Sequence, residues 1–398
     1  MDKFLKAVKV TDSVWWVGAV DWHVRNFHGY STDRGTTYNA FLILDEKITL
    51  IDTVKAPFFD EMRARILSVL PEGKIDYLVS LHSEMDHSGA LPRAAAAFRP
   101  ERIFASPMGV KTLARHFPEV KIEPLGTGSK LELGRESLSF VETAMLHWPD
   151  SMAAWLDKSK LLFSQDAFGM HLASSALFAD ELSAGLLEEE AKKYFANILL
   201  LQSKKILALL DSLPTLGFDI RIIAPDHGPL WRDGDCAVPL RNYRKWALQE
   251  DKHRGVVVYD TMWGSTAAIA DTIADAMRSA GLQVDVFNLQ ASDRSAVMTA
   301  LMDAGILAVG SPTMNNQIFP SVADVMTYMQ GLKPKNLAAI AFGSFGWSGE
   351  AHKNLYKILT DMGCAMPLAA PLAVRYIPTR EELEKIFDET VKAVATIN

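Results

Sequence analysis

The amino-acid sequence predicts an α/β protein built from two domains, and three observations support this prediction. The chain has 398 residues, which is more than one ordinary domain holds. Its C-terminal part alternates all-apolar runs with helical segments, the pattern of a doubly wound parallel sheet. Its N-terminal part instead contains short strands that end on histidine or aspartate. A charged helix over residues 239–250 leads into Asp251, so we predict domains at residues 1–250 and 251–398.

The composition limits the classes of partner that the chain can have. Hydrophobic residues make up 49% of the sequence and charged residues 22%, so there are enough apolar side chains for packed cores. The net charge is −7 and no basic block stands out, which argues against a nucleic-acid partner. Cys236 and Cys364 are too few for a disulfide framework, and no apolar run resembles a signal peptide or a membrane span. We therefore expect a cytoplasmic protein without a nucleic-acid or membrane partner.

Short strands and helices are predicted along the first domain. Two apolar runs flank Asp45-Glu46-Lys47, which is the signature of a β-hairpin. Helical spacing of apolar residues extends over residues 59–70 and 110–117, and over one long uninterrupted segment at 187–213. Further strands are predicted at residues 75–81, 103–105, 140–143, 161–166 and 221–225.

Seven histidine, aspartate and glutamate residues follow predicted strands of the first domain. Four of them lie within six positions, directly after the strand at 75–81. We expect all seven to point into one crevice at one sheet edge, with helical connections between the strands. Imidazole and carboxylate without cysteine suit iron, manganese or zinc, whereas a merely solvated polar loop would not recur in this way. The predicted ligands are His82, Glu84, Asp86, His87, His147, Asp166 and His227.

The second domain begins with an apolar strand at residues 255–259, and a hydroxyl-rich loop leads from it into a helix at 267–279. Backbone N–H groups and hydroxyls at such a helix start suit a phosphate monoester. The loop has neither the spacing of a dinucleotide fingerprint nor the lysine of a Walker loop. It resembles the phosphate loop of flavodoxins, and this resemblance implies bound FMN.

Two more strand ends, after residues 305–310 and 337–342, fall where flavodoxins hold the isoalloxazine ring. Their glycines let backbone amides approach a flavin, and Trp347 is expected to stack on the ring, with a buried core aromatic as the alternative. The predicted FMN-binding residues are Thr261, Met262, Trp263, Gly264, Ser265, Thr266, Ser311, Pro312, Thr313, Met314, Asn315, Asn316, Ser344, Phe345, Gly346, Trp347, Ser348 and Gly349.

The order of the ligand-bearing segments resembles the metallo-β-lactamase fold, an αββα sandwich. Hydrolases of that fold carry His-x-His-x-Asp-His, whereas residues 82–87 read His-x-Glu-x-Asp-His. An anionic oxygen donor in place of an imidazole favours redox iron over hydrolytic zinc. With the segments at 146–150, 164–169 and 224–229, the chain resembles the flavodiiron proteins over essentially its full length. These are also called A-type flavoproteins or rubredoxin:oxygen oxidoreductases.

The resemblance implies a role for each predicted metal ligand. His82, Glu84 and His147 would bind one iron. A second iron would be bound by Asp86, His87 and His227, with water as the alternative to His87, and Asp166 would bridge the two irons. His28 and Tyr194 resemble family residues that donate a proton or hydrogen bond to a diatomic on the iron, although packing is an equal alternative for Tyr194. Four further histidines are expected in surface or packing positions; these are His116, His171, His253 and His352.

The implied function is reduction of dioxygen to water, of nitric oxide to nitrous oxide, or both. FMN would pass electrons to two iron ions, and a separate rubredoxin would supply these electrons. The sequence lacks the Cys-x-x-Cys pair of a rubredoxin and the dinucleotide fingerprint that direct oxidation of NAD(P)H would need. The implied assembly is a head-to-tail homodimer, or a tetramer of such dimers. The alternative function is a dizinc hydrolase with a flavodoxin-like regulatory module. A flavin-based redox sensor is a third option.

Overall fold

The computed structural model describes residues 4–397. The chain divides into two compact units, Met1–Tyr194 with Lys204–Arg244, and Phe195–Ser203 with Lys245–Asn398. The second unit therefore includes a short segment, Phe195–Ser203, that lies inside the range we assign to the first domain. Within the described residues, none of the helices has both the length and the apolar character needed to cross a bilayer.

The first unit is rich in short strands. Its strands are β1 (Val8–Lys9), β2 (Val14–Trp16), β3 (Ala19–Asp21), β4 (Asn26–Phe27), β5 (Tyr30–Ser31), β6 (Thr36–Tyr38), β7 (Phe41–Ile43), β8 (Thr49–Ile51), β9 (Tyr77–Ser80), β10 (Arg102–Ala105), β11 (Glu123–Pro124), β12 (Lys130–Glu132), β13 (Ser137–Glu142), β14 (Met152–Leu156), β15 (Leu161–Gln165), β16 (Ile222–Pro225) and β17 (Trp231–Arg232). Its helices are α1 (Phe59–Val69), α2 (Met85–Ser88), α3 (Leu91–Phe98), α4 (Pro107–His116), α5 (Ala184–Tyr194), α6 (Ser203–Leu216) and α7 (Ala237–Leu248). Helices α6 and α7 also contribute residues to the second unit.

Two sheets face each other in the first unit. One has the order β1-β2-β7-β8-β9-β10-β11 and the other the order β12-β13-β14-β15-β16-β17. Their inner faces share one apolar core, in which the rings of Phe41 and Phe163 lie 5.2 Å apart. Helices α1 and α3 cover the outer face of the first sheet with buried residues such as Met62 and Leu91. The predicted αββα sandwich is therefore confirmed.

The predicted arrangement of the ligand segments is wrong in three respects. The strands that precede the ligands belong to both sheets rather than to one sheet edge, because β9 lies in the first sheet and β15 and β16 in the second. His147 does not end a strand but lies in the loop after β13, which stops at Glu142. Strands β13, β14 and β15 pair antiparallel, and the connections between them, residues 143–151 and 157–160, contain no helix.

The long helix expected at residues 187–213 is interrupted. Helix α5 ends at Tyr194, a π-turn spans Phe195–Leu199 and a 3-10 turn spans Leu200–Gln202 before α6 begins. Within the second unit, the Asn197 side-chain amide donates to Ser295 O at 3.3 Å, and the Tyr328 hydroxyl donates to Asn197 Oδ1 at 3.1 Å. These tertiary contacts override a periodicity that alone would continue the helix.

The second unit is a doubly wound parallel sheet. Its strands are β18 (Arg254–Tyr259), β19 (Gln283–Asn288), β20 (Ala304–Met314), β21 (Gln317–Ile318), β22 (Ala338–Phe345) and β23 (Leu372–Arg375), and its helices are α8 (Ser265–Ser279), α9 (Arg294–Ala300), α10 (Pro320–Leu332), α11 (Ala351–Asp361) and α12 (Arg380–Ala395). The order β19-β18-β20-β22-β23 is all parallel and corresponds to 2-1-3-4-5, the flavodoxin-like order. This half of the fold prediction is also confirmed.

Candidate metal centre and cofactor site

The first unit brings all seven predicted ligands together. His82 and Glu84 lie on the segment between β9 and the one-turn helix α2, and Asp86 and His87 lie on α2 itself. Asp166 directly follows β15. His227 lies two residues after β16, and His147 comes from the loop between β13 and β14. Six of these side chains are buried, and His147 is partly buried.

The first cluster consists of His82, Glu84, His147 and Asp166, whose ligand atoms lie within 4.8 Å of one another. Glu84 Oε2 is 3.0 Å from His147 Nε2 and 3.3 Å from His82 Nε2. Asp166 Oδ2 is 3.0 Å from His147 Nε2 and 3.5 Å from His82 Nε2. Two imidazoles and two carboxylates thus converge on one point, as a metal site requires.

The second cluster consists of Asp86, His87 and His227, again with ligand atoms within 4.8 Å of one another. His227 Nε2 is 3.2 Å from Asp86 Oδ2, and His87 Nε2 is 3.4 Å from Asp86 Oδ1. His87 therefore points into the cluster. A third overlapping set, His87 with Asp166 and Asp226, also meets the 4.8 Å distance.

Asp166 connects the two clusters through its two oxygens. Oδ2 faces His82 and His147, whereas Oδ1 lies 3.2 Å from His87 Nε2 and 3.5 Å from His227 Nε2. One carboxylate that offers a separate oxygen to each cluster has the geometry of a bridging ligand. Asp166 thus lies between the two clusters, and its role as a bridge stays a prediction.

The donor set fits two metal ions. Five buried atoms have no hydrogen-bond partner among the described residues: both oxygens of Asp86, both ring nitrogens of His87 and Asp166 Oδ1. Unsatisfied buried polar atoms are costly, and metal ions would satisfy these. The carboxylates of Glu84, Asp86 and Asp166 would offset most of the charge of two divalent ions. Carboxylate and imidazole donors without thiolates suit iron, manganese or zinc.

The electrostatics of the site also indicate a place for cations. Burial would raise the pKa of Asp166, but the imidazoles of His87, His147 and His82 hold that pKa well below its usual range. Burial would lower the pKa of His82, but hydrogen bonds with Asp150 and Glu84 and the charge of Asp166 raise that pKa to about 10. The carboxylates thus draw positive charge into the centre of the site.

Residues behind the clusters fix the imidazole rings. His227 Nδ1 donates to Thr37 O at 2.6 Å, and because a carbonyl only accepts, Nε2 keeps its lone pair for a metal. His82 Nδ1 lies 3.4 Å from Asp150 Oδ2. His87 Nδ1 lies 3.5 Å from Asp226 Oδ2. These supporting residues were not predicted, although Asp150 and Asp226 lie in the motifs that carry His147 and His227.

His28 and Tyr194 both lie near the clusters, but His28 is exposed to solvent and Tyr194 is buried. His28 is exposed at the turn between β4 and β5, and its Nε2 lies 2.9 Å from Glu84 Oε1, the oxygen not engaged with His82 or His147. Tyr194 is buried at the end of α5, with its ring 6.2 Å from that of His227.

Sequence reasoning missed His171, which we expected in a surface or packing position without a partner set. It is buried, and its ring lies 4.5 Å from that of His227 and 5.1 Å from that of Tyr194. Its Nδ1 is 2.8 Å from Thr36 Oγ1. His116 and His253 are exposed, and His352 is buried in the second unit.

The predicted phosphate loop of the second unit lies at the C-terminal end of β18. Gly264 has φ of 86° and a Cβ there would meet nothing within 4 Å, so the backbone at the start of α8 is open to a ligand. The first turn of α8 carries no acidic residue that would repel a phosphate. The Gly264 amide donates to Thr261 Oγ1 at 3.1 Å, which holds the loop in this shape.

Some of the remaining predicted flavin residues are exposed aromatics, and others are buried hydroxyls. Trp263 is 92% exposed and Trp347 is 82% exposed, so the alternative of a buried core aromatic is wrong for Trp347. Large exposed apolar surfaces beside a phosphate loop fit a planar aromatic ligand. Thr266 and Ser344, by contrast, are buried and hydrogen-bond each other at 2.8 Å, and Ser311 accepts from the Phe319 amide at 2.9 Å.

Comparisons with known proteins agree with both halves. Residues 36–228 match the model of the ODP family beta lactamases, and residues 257–389 match the flavodoxin model. The chain is 42% identical over 386 residues to the rubredoxin-oxygen oxidoreductase of Megalodesulfovibrio gigas, covering 96% of each protein. It is 39% identical over 394 residues to a nitric oxide reductase of Moorella thermoacetica, covering 98% of each.

A solved structure leads to the same family. The flavodiiron protein from Giardia intestinalis superposes with a TM-score of 0.94 at 34% identity, covering 99% of this chain and 98% of that one. Similarity of this extent spans both units and includes the order of the elements that carry the two clusters and the phosphate loop. The chain belongs to the flavodiiron protein family.

Proposed function

We propose that this protein is a flavodiiron oxidoreductase that reduces dioxygen to water, nitric oxide to nitrous oxide, or both. The metal ligands are the seven clustered residues, and the flavin is FMN held by the loops after β18, β20 and β22. The observation that carries the proposal is the orientation of Asp166, with one oxygen toward each cluster. Two metal ions that share a carboxylate can act on one small substrate together.

The residues of this chain have distinct roles in that reaction. When bound, iron and FMN supply the electrons. His82, Glu84 and His147 would hold one iron, Asp86, His87 and His227 would hold the other, and Asp166 would offer one oxygen to each. His28 contacts the free oxygen of Glu84 at 2.9 Å, so its imidazole can move a proton between solvent and the site edge. Tyr194 is buried beside His227 and excludes water from that side while offering a phenol proton.

The electron donor is a separate rubredoxin-type protein. One relative is named a rubredoxin-oxygen oxidoreductase, and this sequence lacks the Cys-x-x-Cys pairs that would bind such an iron within the chain. The exposed surfaces of Trp263 and Trp347 suit the approach of a small donor protein to the flavin.

The proposed location of the protein is the cytoplasm.

The working assembly is a head-to-tail homodimer, alone or paired into a tetramer. Each cofactor site lies within its own compact unit, and a two-fold axis lets the FMN of one subunit approach the irons of its partner. Complementation tests this. A variant without Asp166 is mixed with one in which Thr261 and Ser265 are replaced so that FMN is lost. Activity should return after subunit exchange, and confirmed exchange without activity would contradict the head-to-tail arrangement.

Metal and flavin analysis tests the function against the dizinc hydrolase alternative. We expect two irons and one FMN per chain after anaerobic reconstitution. Stoichiometric zinc that iron does not replace would contradict the redox proposal. The hydrolase alternative lacks support, because the relatives named above are an oxidoreductase and a reductase and the Glu84 carboxylate occupies the first cluster.

A further inference from the structure

We propose that Asp226 is the positioning residue that keeps His87 on the second metal. The inference rests on the metal assignment proposed above and extends it from the ligands to a residue that lies behind one of them. It also decides between His87 and water at the second metal, a choice that the sequence left open.

The position of Asp226 is rigid. It directly follows β16, its amide donates to Gln165 O at 3.0 Å, and its carbonyl accepts from the Asn39 amide at 2.8 Å. The side chain is buried, and Oδ2 has no hydrogen-bond partner among the described residues. The ionic contact of Oδ2 is with His87 Nδ1 at 3.5 Å. A buried carboxyl oxygen without a hydrogen-bond partner is costly to keep unless it acts on a group beside it.

The other atoms of His87 are held from different directions. Its carbonyl accepts from the Thr53 amide at 3.0 Å and from the Thr53 hydroxyl at 2.5 Å. Its Nε2 points at Asp166 Oδ1 and Asp86 Oδ1, at 3.2 and 3.4 Å. With the backbone fixed, the orientation of the ring still has to be held, and the ionic contact of Nδ1 is with Asp226 Oδ2 at 3.5 Å.

This arrangement determines which nitrogen can bind a metal. An imidazole that ligates through Nε2 must carry its proton on Nδ1, and a carboxylate behind Nδ1 favours that form. Without Asp226 the ring could turn away or carry its proton on Nε2, and water would take the vacated position. Asp150 stands in the same relation to His82 in the first cluster, at 3.4 Å from Nδ1.

Replacement of Asp226 should loosen only the second metal. Asp226→Leu, which keeps the branching of the side chain but has no acceptor, should weaken retention of one iron by about 10–100-fold under chelator competition, the range for residues that support a ligand. Asp226→Asn keeps an acceptor oxygen and should fall between wild type and Asp226→Leu. Mössbauer spectra should change for one of the two irons, and FMN content should not change. Asp150→Asn is the matched variant and should affect the other iron.

A double-mutant cycle separates positioning from other roles. If Asp226 acts through His87, then Asp226→Leu should have no further effect on iron retention in a His87→Ala background. Additive losses would overturn the inference and would indicate direct ligation by Asp226. Equal iron retention by wild type, Asp226→Asn and Asp226→Leu would also overturn it. Failure of the wild-type chain to hold two metals would instead refute the proposed function.

Discussion

Asp166 is the residue whose replacement tests the metal centre most severely. Its oxygens lie 3.0–3.5 Å from four imidazole nitrogens, so Asp166→Ala removes a ligand from both clusters at once. Loss of a residue that only supports a ligand costs about 10–100-fold in metal affinity or activity. Loss of a shared ligand should therefore reduce gas turnover by more than about 100-fold, or roughly 2.7 kcal/mol in barrier.

The assay should follow both cofactors. FMN should remain bound and reducible in Asp166→Ala, because the predicted flavin loops lie in the other compact unit. Iron content is measured anaerobically, and gas consumption with an electrode for each gas. Asp219→Ala removes an exposed carboxylate that pairs with Lys160 and serves as the control, since exposed pairs contribute little. Turnover of Asp166→Ala above about a tenth of wild type, a barrier change below roughly 1.4 kcal/mol, would refute the assignment.

Three further predictions concern the second unit. Trp347→Ala should weaken FMN binding severalfold, up to about tenfold by fluorescence titration, because an aromatic contact contributes about 0.5–1.5 kcal/mol; unchanged affinity would place the ring elsewhere. Gly310→Ala should lower the free energy of unfolding in urea by about 1–3 kcal/mol, because the new Cβ would lie 2.1 Å from a ring atom of Phe342. Gly331→Ala is the control and should be neutral or stabilising, because a Cβ there would meet nothing within 4 Å. Burial lowers the pKa of His352 below its usual range, so the unfolded state binds the proton more tightly and stability should fall as pH drops below about 6.5. His352→Phe should reduce this dependence of stability on pH. An unchanged dependence would show that His352 is not its cause.

Much of the metal site was predictable because its residues follow apolar strands. His82, Asp166 and His227 come one or two residues after the ends of β9, β15 and β16. The end of a strand determines the position of the residues that follow it. His171 was missed because it has no neighbouring ligand in sequence, and its partners come from residues 36, 194 and 227. Proximity of that kind depends on the sandwich and leaves no local pattern.

The fold prediction failed where tertiary contacts oppose local periodicity. Apolar spacing predicts one helix at residues 187–213, and nothing local reveals the hydrogen bonds of Asn197 that accompany the π-turn. The parallel sheet was predicted because β18, β20 and β22 are buried apolar runs. Strand β23 was missed because it lies at the sheet edge, where only Val374 of its four residues is buried.

Anaerobic stopped-flow mixing of the reduced, iron-loaded protein with each gas tests the central claim most directly. The flavin absorbance reports electron flow to the substrate. We predict reoxidation by dioxygen, nitric oxide or both at more than about 100 times the rate of Asp166→Ala, in keeping with a barrier difference of roughly 2.7 kcal/mol. If the wild-type flavin reoxidised no faster than that of Asp166→Ala with either gas, electrons would not pass through the metal centre and the proposed function would be wrong.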